Sequence, residues 1–172
     1  MKEKFIKLYM DWARRCAELS HARRLHVGAV IVKDDTVISY GYNGMPAGWD
    51  NTCEDKEWMT DAGGWLDLPE IKERWPYVEY NEDAEEEYRY RLVTKPEVLH
   101  AESNAIAKLA KSNNSGVGAD LFVTHSPCLD CAKLIYQSGI GRVWFGENYR
   151  DNSGIEFLEK SGVPVTKLNT NL

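Results

Sequence analysis

Residues 100–131 read HAESNAIAKLAKSNNSGVGADLFVTHSPCLDC. As a pattern, this stretch is helix, strand, helix. Residues 101–112 place Ala105, Ile106 and Leu109 on one helical face, and Gly116 and Gly118 break the run. Leu121–Thr124 is a short apolar strand. Residues 128–138 read as a second helix, with Leu134 and Ile135 inward and Gly139 as its stop. As chemistry, the stretch carries His100 and Glu102 at one predicted helix start, and Cys128 and Cys131 at the other. One imidazole and two thiolates suit zinc. A structural zinc site closes with four protein ligands, whereas a catalytic one keeps its fourth position for water. The positive end of a helix dipole favours the thiolate form that a metal requires. Glu102, two residues beyond the histidine, is a carboxylate placed to act on that water as a base. Taken singly, each motif has a blander reading. A lone histidine is more often a surface or core residue, and a lone CxxC is a redox pair or half of a structural site. Together they favour a three-ligand catalytic centre, because no second CxxC exists to close a four-thiolate site.

The flanks extend the alternation. Downstream, Arg142–Phe145 reads as a strand, residues 152–160 as a helix ending before Gly162, and Val163–Thr166 as a last strand. Short apolar strands alternating with helices imply parallel strands joined by right-handed crossovers, with both helix starts of the central stretch following neighbouring strands. Upstream, residues 2–20 form an amphipathic helix whose stripe is Phe5, Leu8, Tyr9, Trp12, Cys16 and Leu19. Ser20–Leu25 is a polar connector. His26–Val32 and Val37–Tyr42 are two strands of an antiparallel hairpin, linked by Lys33–Thr36. The first is apolar enough for burial on both faces. The fold expected is α/β: three layers, α/β/α, with a central mixed sheet of about five strands.

Gly41–Gly48 holds three glycines and a proline, which marks a shaped loop. Residues 50–98 form an acidic, tryptophan-rich insertion within a single domain spanning 1–172. Trp49, just before it, and Trp58, Trp65 and Trp75 within it interleave with Glu82, Asp83, Glu85, Glu86 and Glu87. A folded insertion, a subunit contact and a flap are all consistent with it. Lys95-Pro96 ends any helix before His100.

With 172 residues the chain has room for one domain and its core, and 43% hydrophobic content fits a globular protein. A net charge of −6 argues against nucleic acid as a partner, since phosphate backbones need a basic face. The opening MKEKFIKLYMDWARRC has no apolar leader, and no run is apolar enough to span a membrane, so no membrane association is expected. Four cysteines, two of them in one CxxC, suit a reducing compartment, with the cytoplasm as the default.

His100-Ala101-Glu102 followed by Pro127-Cys128-Leu129-Asp130-Cys131 resembles the H-x-E…P-C-x-x-C pattern of the zinc-dependent cytidine deaminase superfamily, a pattern that also marks nucleobase deaminases. Val27–Val32, the loop Gly41–Gly48, His100–Ile106 and Ser126–Lys133 together resemble its deoxycytidylate (dCMP) deaminase branch. The likeness covers about residues 5–50 and 98–168. It implies hydrolysis of dCMP to dUMP and ammonia at a catalytic Zn²⁺, supplying dUMP for thymidylate synthesis. By the resemblance His100, Cys128 and Cys131 bind zinc, and Glu102 donates and accepts the proton. Arg24 and Tyr149 meet the phosphate, Asn43 the deoxyribose, the Ala101 backbone the pyrimidine, and the Ser126 carbonyl the amino group. The same resemblance implies a homohexamer, activated by dCTP with Mg²⁺ and inhibited by dTTP. The regulator is placed against Gly41, Tyr42, Gly44, Met45, Ala47 and Asp50. Two departures stand out. Ser103 occupies a position where relatives carry Leu or Met. Tyr90 stands near where relatives with a second, structural zinc keep a histidine. The alternatives are another deaminase of the superfamily, acting on a free base, a nucleoside or tRNA adenosine, and a non-catalytic zinc-stabilised nucleotide-binding regulator. Glu102 speaks against the last, because a closed structural site has no need of a carboxylate beside it.

Overall fold

The computed structural model describes residues 1–60, 67–81 and 85–168. Trp65, Glu82 and Asp83 lie outside the described residues. The chain runs α1 (Glu3–Ala17), β1 (Gly28–Lys33), β2 (Thr36–Tyr42), β3 (Glu54–Trp58), α2 (Leu68–Arg74), β4 (Tyr77–Asn81), β5 (Glu86–Thr94), α3 (Ala101–Ala110), β6 (Asp120–His125), α4 (Leu129–Gln137), β7 (Arg142–Glu147), α5 (Ser153–Lys160) and β8 (Val165–Lys167). The main sheet has the order β2-β1-β6-β7-β8. β1 is antiparallel to β2 and β6, whereas β6, β7 and β8 are parallel. This is the mixed five-stranded sheet expected.

Both faces of the sheet are covered. On one, Tyr9, Met10 and Ala13 of α1 bury Val30, Val32 and Phe122. On the other, Ala101, Ala105 and Leu109 of α3, Ala132 and Ile135 of α4, and Leu158 of α5 bury Ala29, Ile31, Leu121, Val123 and Val143. Side chains alternate across the pleat, so a strand with helices on both sides must be apolar throughout. β1 is fully buried from Gly28 to Val32.

Small residues decide which helix face goes inward. A Cβ on Gly28 would lie 2.0 Å from the Ala13 carbonyl oxygen, and one on Gly41 would lie 2.2 Å from that of Ala101. The two glycines therefore let α1 and α3 sit directly on the sheet. Close approach at Ala13 and Ala17 rotates the expected stripe of α1. Tyr9 is buried and Phe5 and Cys16 pack at its edge, but Leu8, Trp12 and Leu19 are half exposed. Leu134, expected inward, is exposed, because Cys131, Ala132 and Ile135 already define the buried face of α4. The hairpin link is tighter than four residues. Lys33 pairs with Thr36, and Asp34 and Asp35 turn the chain at φ 50° and 57°, as a two-residue turn of that hand requires.

The described residues of the insertion are folded. β3, β5 and β4 form a second, antiparallel sheet in the order β3-β5-β4. Tyr90 packs between Trp58, at 5.1 Å between ring centroids, and Tyr77, at 5.3 Å. Trp75 is buried, whereas Trp49 and Trp58 are exposed. α3 therefore follows β5 of this second sheet, not a neighbouring strand of the main one. The bridge from Gly44 to Leu99 brings it back beside β2. α4 does follow its own sheet strand, β6.

One edge of the main sheet collects the ends that matter. Gly28 at the start of β1 pairs with Tyr42 at the end of β2, and its N–H donates to Thr124 Oγ1 near the end of β6 at 3.2 Å. His125, ending β6, is registered with Glu147, ending β7. The connector before β1 and the loops after β2, β6 and β7 therefore leave from a single rim, where crevices of open α/β sheets take ligands.

Candidate active site

His100 is the N-cap of α3 and Cys128 the N-cap of α4, and neither makes a side-chain cap hydrogen bond. Cap positions usually go to residues that satisfy the free N–H groups of the first turn. Here both helices present uncapped, electropositive ends to the same point. Cys131 lies one turn into α4 and is buried.

The three ligand atoms, one from each of His100, Cys128 and Cys131, all lie within 4.8 Å of one another. His100 Nδ1 is 3.5 Å from Cys128 Sγ and 3.4 Å from Cys131 Sγ. A tetrahedral zinc with ordinary Zn–N and Zn–S bonds holds its nitrogen and sulfur ligands about 3.6 Å apart. The donor set and its spacing therefore fit zinc, with one coordination position left over. The protonation chemistry points the same way. Hydrogen bonds from Cys131 and His100 pull the Cys128 thiol down to about 4. Donation to Cys128, with burial, holds the Cys131 proton on. The pair thus shares a proton that a cation would displace.

Glu102 follows His100 into the first turn of α3 and is only 4% exposed. Burial raises its carboxyl to about 7, against the opposing pull of a hydrogen bond at its own backbone and of His100. A carboxyl ionising near neutrality both takes and returns a proton readily.

A cavity of about 490 Å³ opens over these groups. His100, Glu102 and Cys128 line it, as do Arg24, Asn43, Ala101, Ser126 and Tyr149. Cys131 lies beneath, outside the lining. Asn43 does more than face the cavity. Its Oδ1 accepts from Val27 N–H at 2.8 Å, and its Nδ2 donates to the Leu25 carbonyl at 2.8 Å, so it fixes the connector that carries Arg24. The Ser126 hydroxyl accepts from the Tyr149 N–H at 2.8 Å and ties the loop after β7 to the end of β6.

Sequence reading missed five polar lining residues: Glu54, Thr94, His125, Asn148 and Arg150. Three of them end β6 or follow β7, so their place at the carboxyl rim of parallel strands was a usable signal. Burial lowers the pKa of His125, against the opposing pull of Glu147. Glu54 and Thr94 come from the second sheet and had no signal. Glu54 Oε1 accepts from the backbone N–H of Arg23 at 2.9 Å and of Arg24 at 3.1 Å, and Arg24 donates to Thr94 Oγ1 at 3.2 Å.

The loop residues expected to meet a regulator lie apart from this lining. Gly41 is buried in β2 against α3. Tyr42 lies beside Lys108, with Nζ 5.5 Å from the ring centroid. Gly44 is held by its bridge to Leu99, and Met45 packs on Ala22, Cys53 and Val98. Ala47 and Asp50 are exposed, with Asp50 Oδ1 accepting from the Thr52 N–H at 2.7 Å. Among the described residues, Cys16 and Cys53 belong to no second group of metal-ligating side chains.

Residues 2–147 match the family model of the cytidine and deoxycytidylate deaminase zinc-binding region. A deoxycytidylate deaminase of Enterobacteria phage T4 is 35% identical over 156 residues, covering 81% of this chain and 77% of the phage protein. The deoxycytidylate deaminase of Homo sapiens is 32% identical over 155 residues, covering 84% and 70%. Among solved structures, a dCMP deaminase from the cyanophage S-TIM5, in complex with dCMP and dUMP, superposes with a TM-score of 0.75 at 36% identity, covering 98% of this chain and 99% of that one.

Proposed function

The chain belongs to the cytidine and deoxycytidylate deaminase zinc-binding family, and from that premise we propose that it hydrolyses dCMP to dUMP and ammonia in the cavity over His100, Cys128 and Cys131. The observation that carries this reading is Glu102, a carboxyl buried beside three zinc-type donors and raised to about 7. His100, Cys128 and Cys131 would hold the zinc, which when bound would lower the pKa of a coordinated water from about 15.7 toward about 7. Glu102 takes a proton from the attacking water and delivers it to ring nitrogen 3 as carbon 4 is attacked. It carries the second proton to the departing amine. The N–H of Ala101, at the first turn of α3, has no acceptor within its helix and is free to hold the pyrimidine. The Ser126 carbonyl receives the amino group, Asn43 faces the deoxyribose, and Arg24 and Tyr149 take the phosphate.

The choice of monophosphate over nucleoside rests on Arg24. Replacing it with Ala is expected to lower kcat/KM for dCMP by about tenfold or more, the worth of a charge-assisted hydrogen bond. Turnover of deoxycytidine is expected to stay unchanged. Equal losses on both substrates in steady-state assays contradict a phosphate role.

Family likeness also supports a regulated oligomer supplying dUMP for thymidylate synthesis: a single domain with its insertion, assembled as a homohexamer, activated by dCTP with Mg²⁺ and inhibited by dTTP at the Gly41–Gly48 loop. Leu8, Trp12, Leu19 and Tyr40, each about half exposed, form an apolar face that self-association would cover. The four unpaired cysteines fit a cytoplasmic setting. No helix among the described residues is long and apolar enough to cross a membrane. Regulation predicts sigmoidal dCMP kinetics that become hyperbolic with dCTP. Rates indifferent to both dCTP and dTTP remove it.

A further inference from the structure

A second cleft, of about 640 Å³, opens between the connector and the insertion. Arg23 and Arg24 line it from the connector, Arg74 from the last turn of α2, and Arg91 from β5. Two carboxylates, Glu70 and Glu73, share the lining, but Glu70 is engaged in the capping box of α2. Arg91 pairs with Glu57. Among the described residues, Arg23, Arg24 and Arg74 make no ion pair. Arg23 lies over the Tyr77 ring at 5.7 Å and Arg74 over Trp75 at 4.9 Å. Stacking of this kind holds a guanidinium by its face and leaves the N–H edge to donate. The Nε of Arg91 is buried and makes no hydrogen bond, a donor left unsatisfied of the kind that native structures seldom keep without a reason.

Unpaired guanidiniums gathered in one cleft repel each other, and in a chain of net charge −6 they reverse the local field. An anion with several oxygens offsets that repulsion, and the planar fork of arginine matches phosphate oxygens two at a time. We propose that this cleft is a second anion site, one that takes the phosphates of a polyphosphate and is joined to the catalytic cavity through Arg24. Arg24 lines both cavities. Glu54 holds its backbone and Thr94 its guanidinium. An anion in the second cleft therefore draws on the guanidinium assigned above to the substrate phosphate. The site is distinct from the Gly41–Gly48 loop and is built largely from the insertion. The inference goes beyond the deaminase reading, and its binding test needs no turnover, so the two stand or fall separately.

The test is calorimetric titration of inorganic tripolyphosphate into the zinc-loaded full chain, with and without saturating dUMP. One equivalent per chain is expected in both conditions, bound more weakly when dUMP is present because Arg24 is shared, and more weakly as salt rises. Arg74→Gln and Arg74→Glu are expected to weaken it by about tenfold or more and to leave kcat on dCMP without tripolyphosphate unchanged. Thermal melts of both variants establish that α2 stays folded. A nucleoside triphosphate that binds tighter than tripolyphosphate identifies a nucleotide as the ligand, and equal affinity identifies the free polyphosphate. Either result upholds the site. Absence of binding, complete displacement by dUMP, or an affinity unmoved in both Arg74 variants overturns it.

Discussion

Glu102→Gln is expected to lower kcat on dCMP by roughly 10²–10⁴-fold, the usual worth of a positioned proton carrier, while the chain keeps its zinc. The amide matches the carboxyl in shape but carries no transferable proton. The same exchange is expected to stabilise the metal-free chain above neutrality, and the sign follows from linkage. Burial raises the folded carboxyl from 4.5 to about 7. The folded state therefore holds a proton that the unfolded chain has released between those values, and stability is lost as pH climbs through that window. At pH 8 the variant is expected to unfold at a higher urea concentration than the wild-type chain, and near pH 4 the difference should vanish. A residue retained for the fold behaves in the opposite way. Near-wild-type turnover with zinc bound refutes the assigned role.

The second large effect concerns the sulfur ligands. Cys131→Ala leaves two donors where three converge, so metal analysis is expected to show zinc lost and activity reduced more than about 100-fold, beyond the cost of disturbing an outer partner. Cys16→Ala and Cys53→Ala are the matched controls. Cys16, on α1, packs against the cluster of Tyr9, Met10 and Phe122, Cys53 lies in a minor cluster with Ala22 and Val98, and both variants are expected to keep zinc. Chelation of the wild-type chain should lower its melting temperature as well as its activity, because the metal ties the starts of α3 and α4 together. Zinc at wild-type stoichiometry in the Cys131 variant contradicts the ligand set.

Much of this was legible because the main sheet follows simple rules. β1 is apolar throughout because helices cover both its faces, and β6 and β7 alternate with helices as parallel strands do. The metal donors were legible because three of them sit at two helix starts with fixed spacings. The second sheet was not. β3 reads Glu54-Asp55-Lys56-Glu57-Trp58, and all of it after Glu54 is exposed, so no apolar alternation announces a strand. It is held by backbone pairing with β5 and by the Tyr90 aromatic cluster, contacts between distant residues that local periodicity cannot reveal. For the same reason Glu54 and Thr94 went unread as the groups that hold Arg24. Burial on α1 was misjudged because Gly28 sets which helical face approaches the sheet, and that is decided from the partner strand.

The most direct test of the account is a single assay: zinc-loaded protein with dCMP, following dUMP by chromatography and ammonia in parallel, beside deoxycytidine, cytosine and guanine. The account predicts dUMP and ammonia in equal amounts from dCMP, with the other three turned over far more slowly. No dUMP from dCMP, or faster deamination of any of the others, contradicts it.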